Sequence, residues 1–283
     1  MIALLPDPGT YGAAVIQGLS ATGDVHRRGA VVLRGAFDLV EDGSGVRAMR
    51  LADDAARFGL VTADRGSGAS GDFDLLQESD FSVEKALADI MVEGFIGVEH
   101  GGEHGGAVKV NGAVWRQRIA NLPLAARNAD TGRNLFGWHR RTETGRSLTG
   151  AGDSVPKNTL PLGYSALFNN AYRRSTGFSA PALQAGLPPG ALVQVYQTPD
   201  ASGAAYALRL PAGSYSARLR SAGLDCPDQP KRWAVTATFP LQPDTLILRP
   251  NANQAEIVWR ADWRWSEFDE KRLRAVQILQ VES

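Results

Sequence analysis

Hydrophobic and polar residues alternate with a period of two over several short stretches, the spacing of strands with one buried face. The clearest is residues 30–39 (AVVLRGAFDL), rich in β-branched and aromatic side chains and followed by the turn cluster Glu41-Asp-Gly-Ser-Gly45. Residues 89–98 (DIMVEGFIGV) predict a second strand, ended by Gly101 and Gly102. Residues 107–119 predict a hairpin, because Asn111-Gly112 supplies the two positive-φ positions of a type I′ turn. After Pro188-Pro-Gly190 strands are expected over 191–197, 204–210, 215–219, 232–239, 244–248 and 256–265. The tail, 267–281, suits either state: Leu273, Val276 and Leu279 are spaced for a helix, while 275–279 (AVQIL) suits a strand.

Between these blocks, about residues 121–190, the pattern breaks down into Gly, Asn, Pro, Thr and Arg. Phe136, Trp138, Tyr164, Phe168, Tyr172 and Phe178 are spaced along it, enough apolar mass to pin it onto a sheet. It reads as an ordered, irregular excursion with one short helix near 164–174. Short strands with turn residues between them predict a mainly β fold, an antiparallel β-sandwich or barrel-like domain with few short helices. No linker divides the chain, so residues 1–283 are expected to form a single domain.

The chain's 283 residues include 30 Lys plus Arg and 30 Asp plus Glu, so total charge points to neither nucleic acid nor membrane. Its distribution is uneven. Residues 1–112 hold 9 basic and 17 acidic side chains, whereas 113–174 hold 10 and 3. The two segments could neutralise one another within the fold, or the basic one could face a partner. The single cysteine, Cys226, allows no internal disulfide, which is consistent with a reducing compartment. Residues 1–6 lack a basic leader region and no stretch approaches the roughly 20 apolar residues of a spanning helix. A soluble protein of the cytoplasm is the expectation.

Several motifs imitate chemistry. His100-Gly-Gly-Glu-His104 matches H-x-x-E-H, which holds zinc only when a helix stacks its two histidines one turn apart. Gly101, Gly102, Gly105 and Gly106 each cost a helix about 1 kcal/mol, so a hairpin loop is expected instead. His26 and His139 are the other histidines from which a third ligand could come. Gly66-Ser-Gly-Ala-Ser-Gly71 spells the dinucleotide fingerprint, yet Asp72 and Asp74 put negative charge where a phosphate would sit. A flexible loop is expected. Cys226 precedes Pro227 and has no neighbour that would lower its pKa. No catalytic residue, cofactor or metal is therefore assigned. In 259–265 (WRADWRW) Trp259, Ala261, Trp263 and Trp265 share one strand face, expected in the core, opposite a solvated face of Arg260, Asp262 and Arg264.

Several stretches, in order, resemble a bacterial family catalogued as domain of unknown function 2169. They are the strand 29–39 ending in Phe37-Asp38, the acidic turn Glu78-Ser-Asp80 leading into 88–94, the Gly-rich 100–106, Leu160-Pro-Leu-Gly-Tyr164, and 244–250 with 255–260 (AEIVWR). The likeness runs from about Gly29 to Arg260, and its order and spacing carry it more than any single motif. Two departures are the lack of a pentapeptide-repeat extension and Trp115-Arg-Gln-Arg118 in place of a Gly-Asp-containing run.

The resemblance implies a type VI secretion adaptor or chaperone. Such a protein is non-enzymatic, binds a secreted effector (a toxin), stabilises it, and helps load it onto the spike protein of the secretion machine. It implies no catalytic residues. Charge and loop length then make Arg133, Trp138, Arg140, Arg141, Arg146, Arg173 and Arg174 the candidate partner-binding residues. Rival readings are a small-ligand or glycan-binding module using the Trp row as a stacking platform, and a hydrolase with a deep carboxylate-lined pocket.

Overall fold

A computed structural model describes residues 3–5, 12–19, 27–54, 59–62, 65–67, 74–77, 80–81, 89–93, 104–119, 134–136, 187–196, 200–203, 205–222, 234–264 and 273–281. The chain opens with strands β1 (Ala3–Leu5), β2 (Gly12–Leu19), β3 (Arg27–Glu41) and β4 (Val46–Leu51). Short strands β5 (Arg65–Ser67), β6 (Asp74–Gln77) and β7 (Asp89–Glu93) follow. Next come β8 (His104–Val110), β9 (Ala113–Ile119) and β10 (Asn134–Phe136). The remainder holds β11 (Leu192–Tyr196), β12 (Tyr206–Arg209), β13 (Ser214–Ser221), β14 (Ala234–Arg249), β15 (Gln254–Arg264) and β16 (Leu273–Val281). A single 3-10 turn, Pro250–Ala252, joins β14 to β15. The protein is mainly β, as expected.

Apart from the β5–β6 hairpin, the strands belong to one curled, barrel-like sheet in the order β1-β16-β13-β14-β15-β3-β4-β12-β11-β8-β9. Curling brings β10, which pairs with β7 beside β14, within 8 Å of β8 between Cα atoms. Two long strands organise this surface. Along one edge β3 pairs with β15 from Arg28 to Asp38; its other edge takes β2 along its first half and β4 along its second. The antiparallel expectation needs correction, because β1 with β16, β4 with β12 and β7 with β14 are parallel pairs. Parallel neighbours need long crossovers rather than tight turns, and nothing local in sequence records them.

Residues 232–239 and 244–248 are expected as two strands around Pro240 and Pro243; residues 234–239 and 244–248 are instead parts of the single strand β14. Its first half pairs with β13 and its second with β15. Pro240 pairs with Ser216 of β13, and Pro243 is tolerated at an interruption of the β14–β15 ladder. Pro243 faces Trp259 and Thr245 faces Val258, so Asp244 is an extra residue, a β-bulge. The bulge switches side-chain parity: Ala237, Phe239 and Leu241 face the main core before it, Leu246 and Leu248 after it.

The β8–β9 hairpin forms as its turn chemistry requires, with φ of 45° at Asn111 and 96° at Gly112. The Asn111 side-chain oxygen also accepts a hydrogen bond of 3.0 Å from the Leu192 amide, tying the turn to β11. The ambiguous tail is strand β16, held between β1 and β13 by main-chain pairing on both edges. Within the irregular middle, Asn134–Phe136 is a strand; the helix expected near 164–174 lies outside the described residues.

The main core fills the concave side. Trp259 meets Phe37 and Tyr215 edge-on, with ring centroids 6.1 and 5.1 Å away, and Trp263 stacks on Phe239 at 6.2 Å. Gly29 is paired with Trp263 across β3 and β15, and the indole lies over the glycine so closely that a Cβ there would sit 2.5 Å from it. Gly29→Ala is expected to lower unfolding free energy by about 1–3 kcal/mol through overpacking. Gly59→Ala, where open space surrounds the position, should stay within about 0.5 kcal/mol of the parent. Urea unfolding of both variants checks the pair.

Candidate functional site

Strands β3 and β15 are buried on both faces, and the second face is where charge collects. A one-face strand alternates apolar and polar positions, but residues 30–37 and 255–261 are buried without a break. On the convex side Ile16, Ala30, Val32 and Val258 form a small apolar cluster against Ala14 and Leu60. Beside it lie the buried Arg34, Asp80, Asp244, Glu256 and Arg260, with Arg249 at the margin.

Arg34 is the centre of this cluster. It projects from the middle of β3, where it pairs with Val258. One guanidinium nitrogen donates to the Asp80 carboxylate at 2.7 Å and the other donates to Glu256. The second oxygen of Glu256 accepts from Arg249. Arg260 Nε donates to Asp244 at 2.6 Å, and its Nη1 donates to the Asp80 carbonyl at 3.0 Å. Asp244 reaches Arg260 because the bulge re-aims it, and it also accepts a 3.0 Å bond from the Thr245 hydroxyl. Three guanidiniums thus neutralise three buried carboxylates.

Asp80 ties this cluster to the chain that covers it. Its carboxylate accepts from the Val61 amide at 2.7 Å, and its own amide donates to the Val61 carbonyl at 2.7 Å. Residues 60–61 and 80 are thereby strapped over the convex face. Burial alone would raise the Glu256 pKa, but the charges and hydrogen bonds of Arg34 and Arg249 outweigh it and hold the carboxyl below its ordinary value. Every carboxylate of the cluster is engaged by an arginine, so the arrangement fits a structural clasp better than an acid–base pair.

The remaining candidates fall differently. Arg133, Trp138, Arg140, Arg141, Arg146, Arg173 and Arg174 all lie outside the described residues, as do His26, His100, Glu103, His139 and Cys226. His104 is the first residue of β8, so the helix that a zinc-binding H-x-x-E-H requires does not form there. Gly66 and Ser67 belong to β5, and Ser67 pairs with Asp74 of β6; a hairpin takes the place of the strand-to-helix turn that a dinucleotide needs. Trp259 and Trp263 are each 2% exposed, in the core as expected, which closes Trp263 to a stacking sugar. Trp265 is outside the described residues. The charged face opposite them departs from expectation: Arg264 is exposed and Asp262 half-buried, but Arg260 is buried in the clasp.

Other features of the described residues are modest. A recess between Pro188, Pro211, Leu241 and Trp259 has room for little more than one water molecule. Among the described residues no group of His, Cys, Asp or Glu is arranged to hold a metal ion, and no helix is long and apolar enough to cross a membrane. No family model, curated protein or solved structure matches the chain.

Two outcomes are expected of the clasp. Arg34→Met leaves Asp80 and Glu256 facing a buried site without their central cation, and should cost about 3–5 kcal/mol in urea unfolding. Because the folded-state pKa of Glu256 is depressed, its contribution is complete above the ordinary glutamate range and is lost as pH falls through the lower folded value. The unfolding midpoint of the parent should therefore fall more steeply between about pH 5 and pH 3 than that of Glu256→Gln. Parallel curves for the two would remove Glu256 from the account.

Proposed function

We propose that this chain is a non-enzymatic adaptor or chaperone of the bacterial cytoplasm, which binds a type VI secretion effector, keeps it stable and helps load it onto the secretion spike. The reading rests on the sequence resemblance, which spans most of the chain. The structure adds a curled, barrel-like sheet whose strand order, among the described residues, ends at β9, at the start of the basic segment 113–174. A broad surface with arginine and aromatic anchors suits recognition of a protein client. Arg133, Trp138, Arg140, Arg141, Arg146, Arg173 and Arg174 are the proposed anchors.

Affinity capture of the tagged protein from its own bacterium, with mass spectrometry, tests this reading. One large toxin-like protein, with or without a spike protein, is the expected catch. Reversing the charge of Arg140, Arg141 and Arg146 together should reduce its yield by about tenfold or more. An empty capture, repeated with the neighbouring genes expressed, would overturn the proposal.

A further inference from the structure

We infer that Asn111 is a site of spontaneous deamidation, and that a hydrogen bond from strand β11 restrains the reaction while the protein is folded.

Asn111-Gly112 is the only Asn-Gly pair in the chain. The pair matters chemically because the nucleophile is the main-chain nitrogen that follows the asparagine, and glycine leaves that nitrogen unobstructed. The Gly112 nitrogen attacks Asn111 Cγ, and the new N–Cγ bond closes a succinimide ring. The Cγ–Nδ2 bond breaks, and ammonia departs with the proton that the Gly112 amide gives up. Water then opens the ring. Attack at Cγ yields aspartate, whereas attack at the main-chain carbonyl carbon yields isoaspartate, in which the chain runs through Cβ and Cγ.

The turn is open to this chemistry. Both residues are exposed, and nothing lies within 4 Å of the point where a side chain on Gly112 would begin. Water reaches the ring-forming atoms without any rearrangement of the core.

Folding opposes the reaction through the carboxamide. Asn111 Oδ1 accepts a 3.0 Å hydrogen bond from the Leu192 amide, and the Asn111 amide donates to the Leu192 carbonyl at 3.1 Å. One residue of β11, 81 positions away in the chain, thus holds both the side chain and the main chain of Asn111. The next pair along, Val110 with Val193, is buried in the main core and fixes the two strands beside each other. For Cγ to meet the Gly112 nitrogen, the carboxamide must swing about the Cα–Cβ bond and give up the Leu192 amide. A net hydrogen bond corresponds to a factor of about threefold to tenfold, which is the slowing expected of the folded state.

The two products differ in what they leave behind. Aspartate still presents an oxygen to the Leu192 amide and keeps the turn. Isoaspartate adds a carbon to the main chain, so the two-residue loop that sets the β8–β9 hairpin is lengthened and its tip comes away from β11.

The test uses the full chain, aged in mildly alkaline buffer either folded or in guanidinium chloride. Mass spectrometry of the tryptic fragment 110–116 (VNGAVWR) follows the exchange of amide for acid, and isoaspartyl methyltransferase labelling reports isoaspartate. Conversion in denaturant should run about threefold or more faster than in the folded protein. Gly112→Ala should slow it in denaturant, where folding plays no part. The hydrogen bond is read separately, by hydrogen exchange at the Leu192 amide. That amide should be protected in the parent and in Asn111→Asp. In Asn111→Gly, which keeps the positive φ but has no acceptor, it should exchange about threefold or more faster. No conversion in denaturant, conversion equally fast or faster in the folded protein, or unchanged Leu192 exchange in Asn111→Gly overturns the inference.

Discussion

A guanidinium in the middle of a strand with both faces buried sets the terms for this protein. Arg34 cannot be solvated where it stands, so two carboxylates must come to it, and they come from distant parts of the chain: Glu256 from β15 and Asp80 from the covering segment. Each of these needs further partners, which draws in Arg249 and, through the Asp80 carbonyl, Arg260 with Asp244. The cluster is a network because no member is satisfied by one bond. Such a group contributes little to net stability compared with an apolar replacement, since desolvation offsets the attraction. What it imposes is registry: the covering segment, β3, β14 and β15 must align before the charges neutralise one another.

The bulge at Asp244 is the backbone counterpart of that demand. Without the bulge, β14 would keep one side-chain parity along its length, and Leu246 and Leu248 would leave the core that Ala237, Phe239 and Leu241 face. Inserting it lets one strand serve the sheet around β13 and the sheet around β15, and directs a carboxylate onto Arg260. On the concave side the matching constraint is steric. The Trp263 indole needs a neighbour without a side chain, and Gly29 provides it.

Local patterns in the amino-acid sequence determined the existence of strands at 30–39, 107–119, 191–197 and 256–265, because period-two alternation and β-branched side chains act within a few residues. They also determined the Asn111-Gly112 turn, whose positive φ angles are a property of those two residues. The core placement of Trp259 and Trp263 was legible for the same reason. The His100–His104 and Gly66–Gly71 motifs lost their chemical meaning on sequence grounds, since each needs a helix that its glycines or its acidic neighbours oppose.

Tertiary structure alone decided the rest. Arg260 looked solvated because strand periodicity reports only that two faces differ, never whether the second face is covered. Residues 60–61 and 80 cover it, and their contact spans long sequence separations. The parallel pairs, the fusion of two expected strands into β14, and the choice of strand for the tail are non-local in the same sense. Each depends on which edges lie adjacent after the sheet curls, and hydrogen bonds to a distant neighbour outweigh the weak preferences of five or six residues considered alone.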